Sequence, residues 1–139
     1  MISDCAQGLL TLVKTNTAFG LDIQRVGIAA GGKNVDPTMN NVRIPAAWIV
    51  YTGSENIEQN ENCGPVVRLN FVVKIFLDYA TEVDLLQNQY PILVNTINAV
   101  SGKAGPAGSK KWRFDGEAID ELTGNRIVYD QRYSIVAYL

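Results

Sequence analysis

The clearest pattern along the chain is an alternation that begins near Val66 and holds to Tyr79. Its odd positions Val67, Leu69, Phe71, Val73, Ile75, Leu77 and Tyr79 are all apolar, and its even positions include Arg68, Asn70, Lys74 and Asp78. Side chains alternate across a strand, so one whole face of Val66–Tyr79 is built for a core. Burying such a row contributes roughly 10–20 kcal/mol before opposing terms, an upper bound because the unfolded chain already shields part of this surface. A slip of one residue would turn that face to water, which pins the register. The even face also carries Val66, Val72 and Phe76. That is more apolar than a solvated face needs, and it predicts partial cover by a helix of the same chain or by another copy.

Around this strand the periodicity changes character. Ile2, Cys5, Leu9 and Leu12, widened by Leu10 and Val13, recur at three- and four-residue spacing and predict a helix of about four turns. Ser3 or Asp4 is the expected N-cap and Gly20 the stop. Asp22–Ala30 and Ile44–Tyr51 are predicted strands, the second apolar on both faces. The stretch from Gly31 to Asn41 and the stretch from Gly53 to Pro65 lack an apolar period and predict two long polar loops.

After the long strand, Thr81-Glu82-Val83-Asp84 is a capping-box variant. Val83, Leu86, Tyr90, Leu93, Ile97 and Val100 then form one apolar stripe of a second helix, the natural cover for the strand's apolar face. Pro91 inside it predicts a kink near Gln87–Tyr90 or a split. Ser101–Lys111 is a predicted glycine-rich loop. Trp112–Ile119, a turn at Leu122-Thr123-Gly124-Asn125 and Arg126–Leu139 predict a closing hairpin, with Trp112, Phe114 and Ala118 on one face of its first strand and Arg113, Asp115 and Glu117 opposite. The order is α-β-β-β-α-β-β. That order predicts an α+β fold with a mainly antiparallel sheet of about five strands and two main helices, in a single domain spanning residues 1–139.

Composition narrows the function classes. The 139 residues are 47% hydrophobic and 19% charged, with net charge -2, and mean hydropathy is near zero. A chain of this kind folds around its own core. No apolar run reaches the length a membrane helix needs, and the expectation is no membrane partner. The N-terminus shows no basic-then-apolar leader, so synthesis is expected in the cytoplasm. An acidic balance argues against a dedicated nucleic-acid binder. Cys5 and Cys63 are expected to be reduced thiols.

Candidate chemistry is thin. The chain has no histidine, which removes the commonest general base and the commonest metal ligand. Cys63 lies near three glutamates, which would raise its pKa, the wrong direction for a nucleophile. Asp115, Glu117, Asp120 and Glu121 are close enough to raise the question of a cation or an acid–base pair; a solvated hairpin face accounts for them more simply. Ala29-Ala30-Gly31-Gly32-Lys33 lacks the lysine–threonine pair and following helix of a phosphate loop. The expectation is a protein that is not an enzyme and binds no cofactor or metal. The remaining feature is charge on loops: basic Lys103, Lys110, Lys111 and Arg113, and acidic Glu55, Glu58 and Glu61. A basic loop meets either phosphate, without reading bases, or an acidic protein patch.

The long strand Val66–Tyr79 passing into the helix Thr81–Val100, and the ending Arg126–Leu139, resemble the tail terminator (tail completion) proteins of tailed phages, typified by the minor tail protein U of lambda. The resemblance spans nearly the whole chain in size, order and texture. It implies a structural virion protein at the tail or neck. Such proteins form a homo-oligomeric ring, commonly of six copies, that caps the tail tube and joins it to the neck or head-completion proteins, and that meets the sheath where the tail is contractile. DNA passes through the lumen unread, so no sequence-specific nucleic acid is implied. The side chains expected at such contacts are Lys33, Arg43, Glu55, Glu58, Glu61, Lys103, Lys110, Lys111 and Arg113. The alternatives are another neck or head–tail connector of the same particle, a small non-enzymatic ligand-binding domain, and a hydrolase of unfamiliar type.

Overall fold

A computed structural model of the chain describes residues 1–16, 26–29, 44–60 and 64–139. The elements are α1 (Ile2–Lys14), β1 (Val26–Ala29), β2 (Ala46–Asn60), β3 (Gly64–Asp78), a helical segment that opens as α2 (Glu82–Asp84) and continues as α3 (Tyr90–Val100), β4 (Arg113–Thr123) and β5 (Arg126–Tyr138). The expected α+β order holds. The sheet has the order β1-β2-β3-β5-β4. The β1–β2 pair is parallel, and the other pairs are antiparallel.

The long strand sits at the centre of the sheet, and its odd face is the core. Leu69, Phe71, Val73, Ile75 and Leu77 are each 0–1% exposed. They pack with Cys5, Leu9, Leu10 and Val13 of α1 and with Ile92, Leu93 and Val100 of α3. Both helices therefore cover the same face of the sheet. Phe71 carries the aromatic centre, with its ring 5.3 Å from Tyr51 and 5.5 Å from Trp112 in a tilted and an edge contact. Such pairs add to the area they bury. Tyr79 lies past the strand's end and is only half-buried.

Two buried polar contacts fix how the helices sit. The Asn16 amide, just past the end of α1, donates to the Ile92 carbonyl (3.2 Å) and to Thr96 Oγ1 (2.9 Å) on α3. Gln131 on β5 is fully buried. Its amide donates to the Leu93 carbonyl (2.9 Å) and to Glu117 Oε2 (2.7 Å), and its oxygen accepts from the Tyr133 hydroxyl (2.7 Å). Satisfied in this way, a polar group inside the core locks α3, β5 and β4 into one arrangement.

Several local expectations change. α1 starts at Ile2 with Met1 as N-cap, so Ser3 and Asp4 lie inside the first turn and provide no side-chain cap. Asp4 there still suits the positive end of the helix dipole. The helix ends at Lys14, and the expected stop at Gly20 lies outside the described residues. So do the predicted loop from Gly31 to Asn41 and the first part of the predicted strand Asp22–Ala30. The expected polar loop from Gly53 to Pro65 is for the most part strand. β2 runs to Asn60 and β3 starts at Gly64, paired from Glu58↔Val66 to Asn60↔Gly64. Neighbour pairing overrode the weak strand preference of those polar residues.

The second helix begins as expected. Thr81 Oγ1 accepts from the Asp84 amide (3.1 Å), and Asp84 accepts from the Ala80 amide (3.0 Å). The Asn88 side chain and the Ala80 amide hold the Asp84 carboxyl below its usual range. The predicted break is a π-helical turn at Leu85–Gln89, directly ahead of Pro91, whose missing N–H removes one bond of the helical ladder. The wider turn shifts the helix face. Val83 and Leu86 are 59% and 63% exposed, whereas Ile92, Leu93, Thr96 and Val100 are buried. The expected single stripe is thus two offset ones.

Candidate functional site

The sheet has one face under the helices and one face that no described helix covers. Along β3 the open face carries Arg68, Asn70, Val72, Lys74 and Phe76. Phe76 joins Ala46 and Val128 in a small second cluster, flanked by Ile44 and Trp48. At mid-sheet Lys74 Nζ meets Asp130 (2.9 Å) on β5 and Asp120 (3.0 Å) on β4. Burial pulls this lysine's pKa down, but the two carboxylates outweigh it and hold the ammonium above its ordinary value.

Further along the same face lies a dent of about 470 Å³, lined by Glu55, Arg68, Asn70, Arg113, Asp115 and Arg132 among others. Cross-strand register explains it. Gly53, Asn70, Ser134 and Arg113 form one row across β2, β3, β5 and β4. Gly53 and Ser134 are small, so the surface sinks there. Arg68 and Arg132 flank this row on either side. Asp115 pairs with Arg113, and Glu55 accepts from the Asn70 amide (3.2 Å).

The acidic group of β4 does not gather. Irregularities between Phe114 and Gly116 and between Ile119 and Glu121 reset the alternation twice. Asp115 goes to Arg113, Asp120 to Lys74, Glu117 to buried Gln131, and Glu121 accepts from Thr123. Contrary to the sequence expectation, Asp115 and Glu117 do not share a face. Ala118, opposite Asp130, lies on the face away from Phe114, which is opposite Tyr133. Among the described residues no group of acids or cysteines could hold a metal ion. Cys5 is wholly buried, and burial pushes its thiol pKa up. No described helix is long and apolar enough to cross a membrane.

The expected contact residues fare unevenly. Lys33, Arg43 and Glu61 lie outside the described residues, as does Cys63. Glu58 lies on the paired backbone of β2. Lys103, Lys110 and Lys111 are exposed, but their segment is no free loop. Bridges Ala104↔Lys111 and Ser109↔Ala137, with Lys110 N–H donating to the Val136 carbonyl (2.9 Å), fasten it along the end of β5. Glu55 and Arg113, expected on separate charged loops, line the same dent. Arg68 and Arg132 were not among the expected contacts. Their signal in the sequence is a cation on the polar side of each of two strands.

A second exposed feature is apolar. Val83, Leu86 and Val94 on the helical segment and Ile119 and Leu122 on edge strand β4 are each more than half exposed. Tyr90 and Tyr129 meet edge-on between these elements at 6.4 Å. Burial, aided by the Tyr90 hydroxyl, pushes the Tyr129 pKa up to about 12.

These features define an α+β protein with one helix-covered sheet face, one charged open face and an edge strand fringed with apolar side chains. Among solved structures, the chain is similar to one described as the virion of a native gene transfer agent particle, with TM-score 0.56 and 10% identity over 96% of each chain. At that identity the likeness establishes a shared fold. No family model matches the sequence, and no curated protein matches it.

Proposed function

We propose that the chain is a structural, non-enzymatic virion protein of a phage-like particle, and specifically a tail terminator. In this reading residues 1–139 act as one unit. About six copies close into a ring that caps the tail tube and joins it to neck or head-completion proteins, and to a sheath where the tail contracts. Assembly takes place in the host cytoplasm. The observation that carries the reading is the end-to-end likeness of fold to a chain from a gene transfer agent virion, taken with the tail-terminator texture of the sequence. The surface supports it: exposed apolar side chains along β4 and the helical segment, and exposed lysines on a strapped segment, suit contacts between copies. A head-to-tail contact of this kind closes into a ring only when the rotation per copy is right. Charged residues such as Lys110, Lys111 and Arg113 set orientation more than affinity.

A neck or head–tail connector position is the second reading, because the similar structure is described as a whole particle and not by one position within it. Immunogold labelling of purified particles separates the two. Label at the tube's head-proximal end supports a terminator, label within the neck supports a connector, and absence from particles rejects both. Tail-tube and head-completion genes flanking this one would point the same way.

A further inference from the structure

We propose that the bare end of edge strand β4, with the start of the helical segment beside it, is a socket for a second copy of this chain, which fills it with the lysine-bearing segment that straps its own β5.

Three observations carry this. First, the core runs out on β4 without being closed. Ile75, Tyr129 and Ile119 form one row across β3, β5 and β4, and Leu77, Ile127 and Leu122 form another on the same side. Each row starts sealed, with Ile75 and Leu77 at 0% exposure, and ends bare, with Ile119 and Leu122 at 54% and 60%. Val83 and Leu86 stand exposed alongside. The Tyr79 N–H bond to the Asn125 carbonyl (3.1 Å) and the Tyr90–Tyr129 ring contact hold the two elements together there. Apolar side chains grouped in this way mark a contact surface.

Second, charge selects the occupant. Over residues 78–90 and 117–125 the charged side chains are Asp78, Glu82, Asp84, Glu117, Asp120 and Glu121, all acids. Lys74 is engaged by Asp120 and Asp130, and with Arg126 of the turn counted in, the balance there stays acidic. Residues 101–113 are the reverse: they carry Lys103, Lys110, Lys111 and Arg113 and no acid. The backbone gathers these lysines. The Ala104↔Lys111 bridge and the Trp112 N–H bond to the Lys103 carbonyl (2.9 Å) set Lys103 beside Lys110 and Lys111. Exposed Tyr138, whose N–H donates to the Gly108 carbonyl (2.8 Å), adds apolar surface next to them. Acids near this end do not cancel it: Asp4 is drawn to the amino terminus (3.8 Å), and β3 and β5 separate Glu58 from the strap.

Third, socket and strap cannot meet within one molecule. They lie toward opposite ends of β5, beside Ile127 and Ala137, roughly 30 Å apart at about 3.4 Å per residue. Complementary surfaces at opposite ends join copies head to tail, and such contacts repeat until they close. The inference rests on the ring reading and adds which surfaces meet, with opposite charge fixing their register.

The test uses the full chain in ¹⁴N and ¹⁵N forms, mixed in equal amounts, with and without tail-tube protein. A carbodiimide then joins lysine amines to the carboxylates they touch, with loss of water. Mass spectrometry should find mixed-isotope pairs, the signature of contact between copies, that link Lys103, Lys110 or Lys111 to Glu82, Glu117 or Glu121. Charge reversal gives a second arm. Lys110→Glu with Lys111→Glu, and separately Glu82→Lys with Glu121→Lys, should each associate about tenfold or more weakly than the unaltered chain. An equimolar mixture of the two variants should recover association, because every contact between unlike copies is again acid to base. Circular dichroism checks that the variants fold, and the links in the unaltered chain decide the matter if one does not. Association without mixed-isotope links from those lysines to those acids, or folded variants whose mixture recovers nothing, would overturn the pairing and leave the ring standing. A chain that stays monomeric with and without tube protein would overturn both.

Discussion

The two faces of β3 are made by one strand and differ in almost every physical respect. On the helix side, consecutive odd positions are sealed against α1 and α3. On the other side, the even positions between them hold Arg68, Asn70 and Lys74 at intermediate exposure, and only Phe76 is buried. The covered face holds the fold together, since each side chain there loses contact with water over its whole surface. The open face is held by charge: Lys74 ties β3 to β4 and β5 through two carboxylates that still see solvent, and such contacts contribute little to stability. A face with little to do for the fold is free to meet partners. The contrast also separates what substitutions should do.

The largest effect is expected in the core. Phe71→Ala removes the ring between Tyr51 and Trp112 and should destabilise by about 3–5 kcal/mol, read from the urea midpoint. A loss below about 1 kcal/mol, typical of surface sites, would mean that this face is not the sealed core. Next comes the buried polar clamp. Gln131→Leu strands the Tyr133 hydroxyl and the Leu93 carbonyl without their partner and should cost about 1–3 kcal/mol; an unchanged or raised melting temperature would refute the clamp.

A pH dependence of similar size should accompany it. Burial, with Glu117 nearby, raises the Tyr133 pKa well above that of a free phenol. The folded state therefore keeps a proton that the unfolded state releases above about pH 10. Stability is fully present below that pH and falls above it, by up to about 1.4 kcal/mol per pH unit from this group. Tyr129 and Lys74, also raised, add in the same direction. Tyr133→Phe should flatten the alkaline limb of a stability-against-pH curve. An equally steep limb in that variant would assign the effect elsewhere.

The smallest stability effect belongs to the strapped basic segment. Lys110→Glu with Lys111→Glu should move the urea midpoint by less than about 0.5 kcal/mol and still weaken association between copies. Unchanged assembly by sedimentation would remove those lysines from the interface.

The sequence made the covered face legible and the open face much less so. Unbroken alternation revealed β3 because burial leaves its mark at every second residue. The paired ends of β2 and β3 were hidden because Glu, Asn and Gln carry no strand signal of their own, and their conformation comes from the neighbouring strand. The π-helical turn at Leu85–Gln89 and the irregular pairing around Asp115 and Asp120 each shift the phase of a periodic pattern. Val83, Leu86, Ala118 and Glu117 accordingly lie on other faces than simple periodicity predicts. Gln131 and Asn16 looked like ordinary polar residues, since their partners come from far along the chain. The dent followed the same rule: Glu55 and Arg113 were visible as charges, but their meeting with Arg68 and Arg132 depends on register across four strands.

Native mass spectrometry of the purified protein over a range of concentrations, with and without tail-tube protein, tests the proposed closure of copies of this chain into a ring. A single closed species of about six copies, at high concentration or on adding the tube protein, is the predicted result. A strict monomer under both conditions, or an open series with no preferred size, would contradict it.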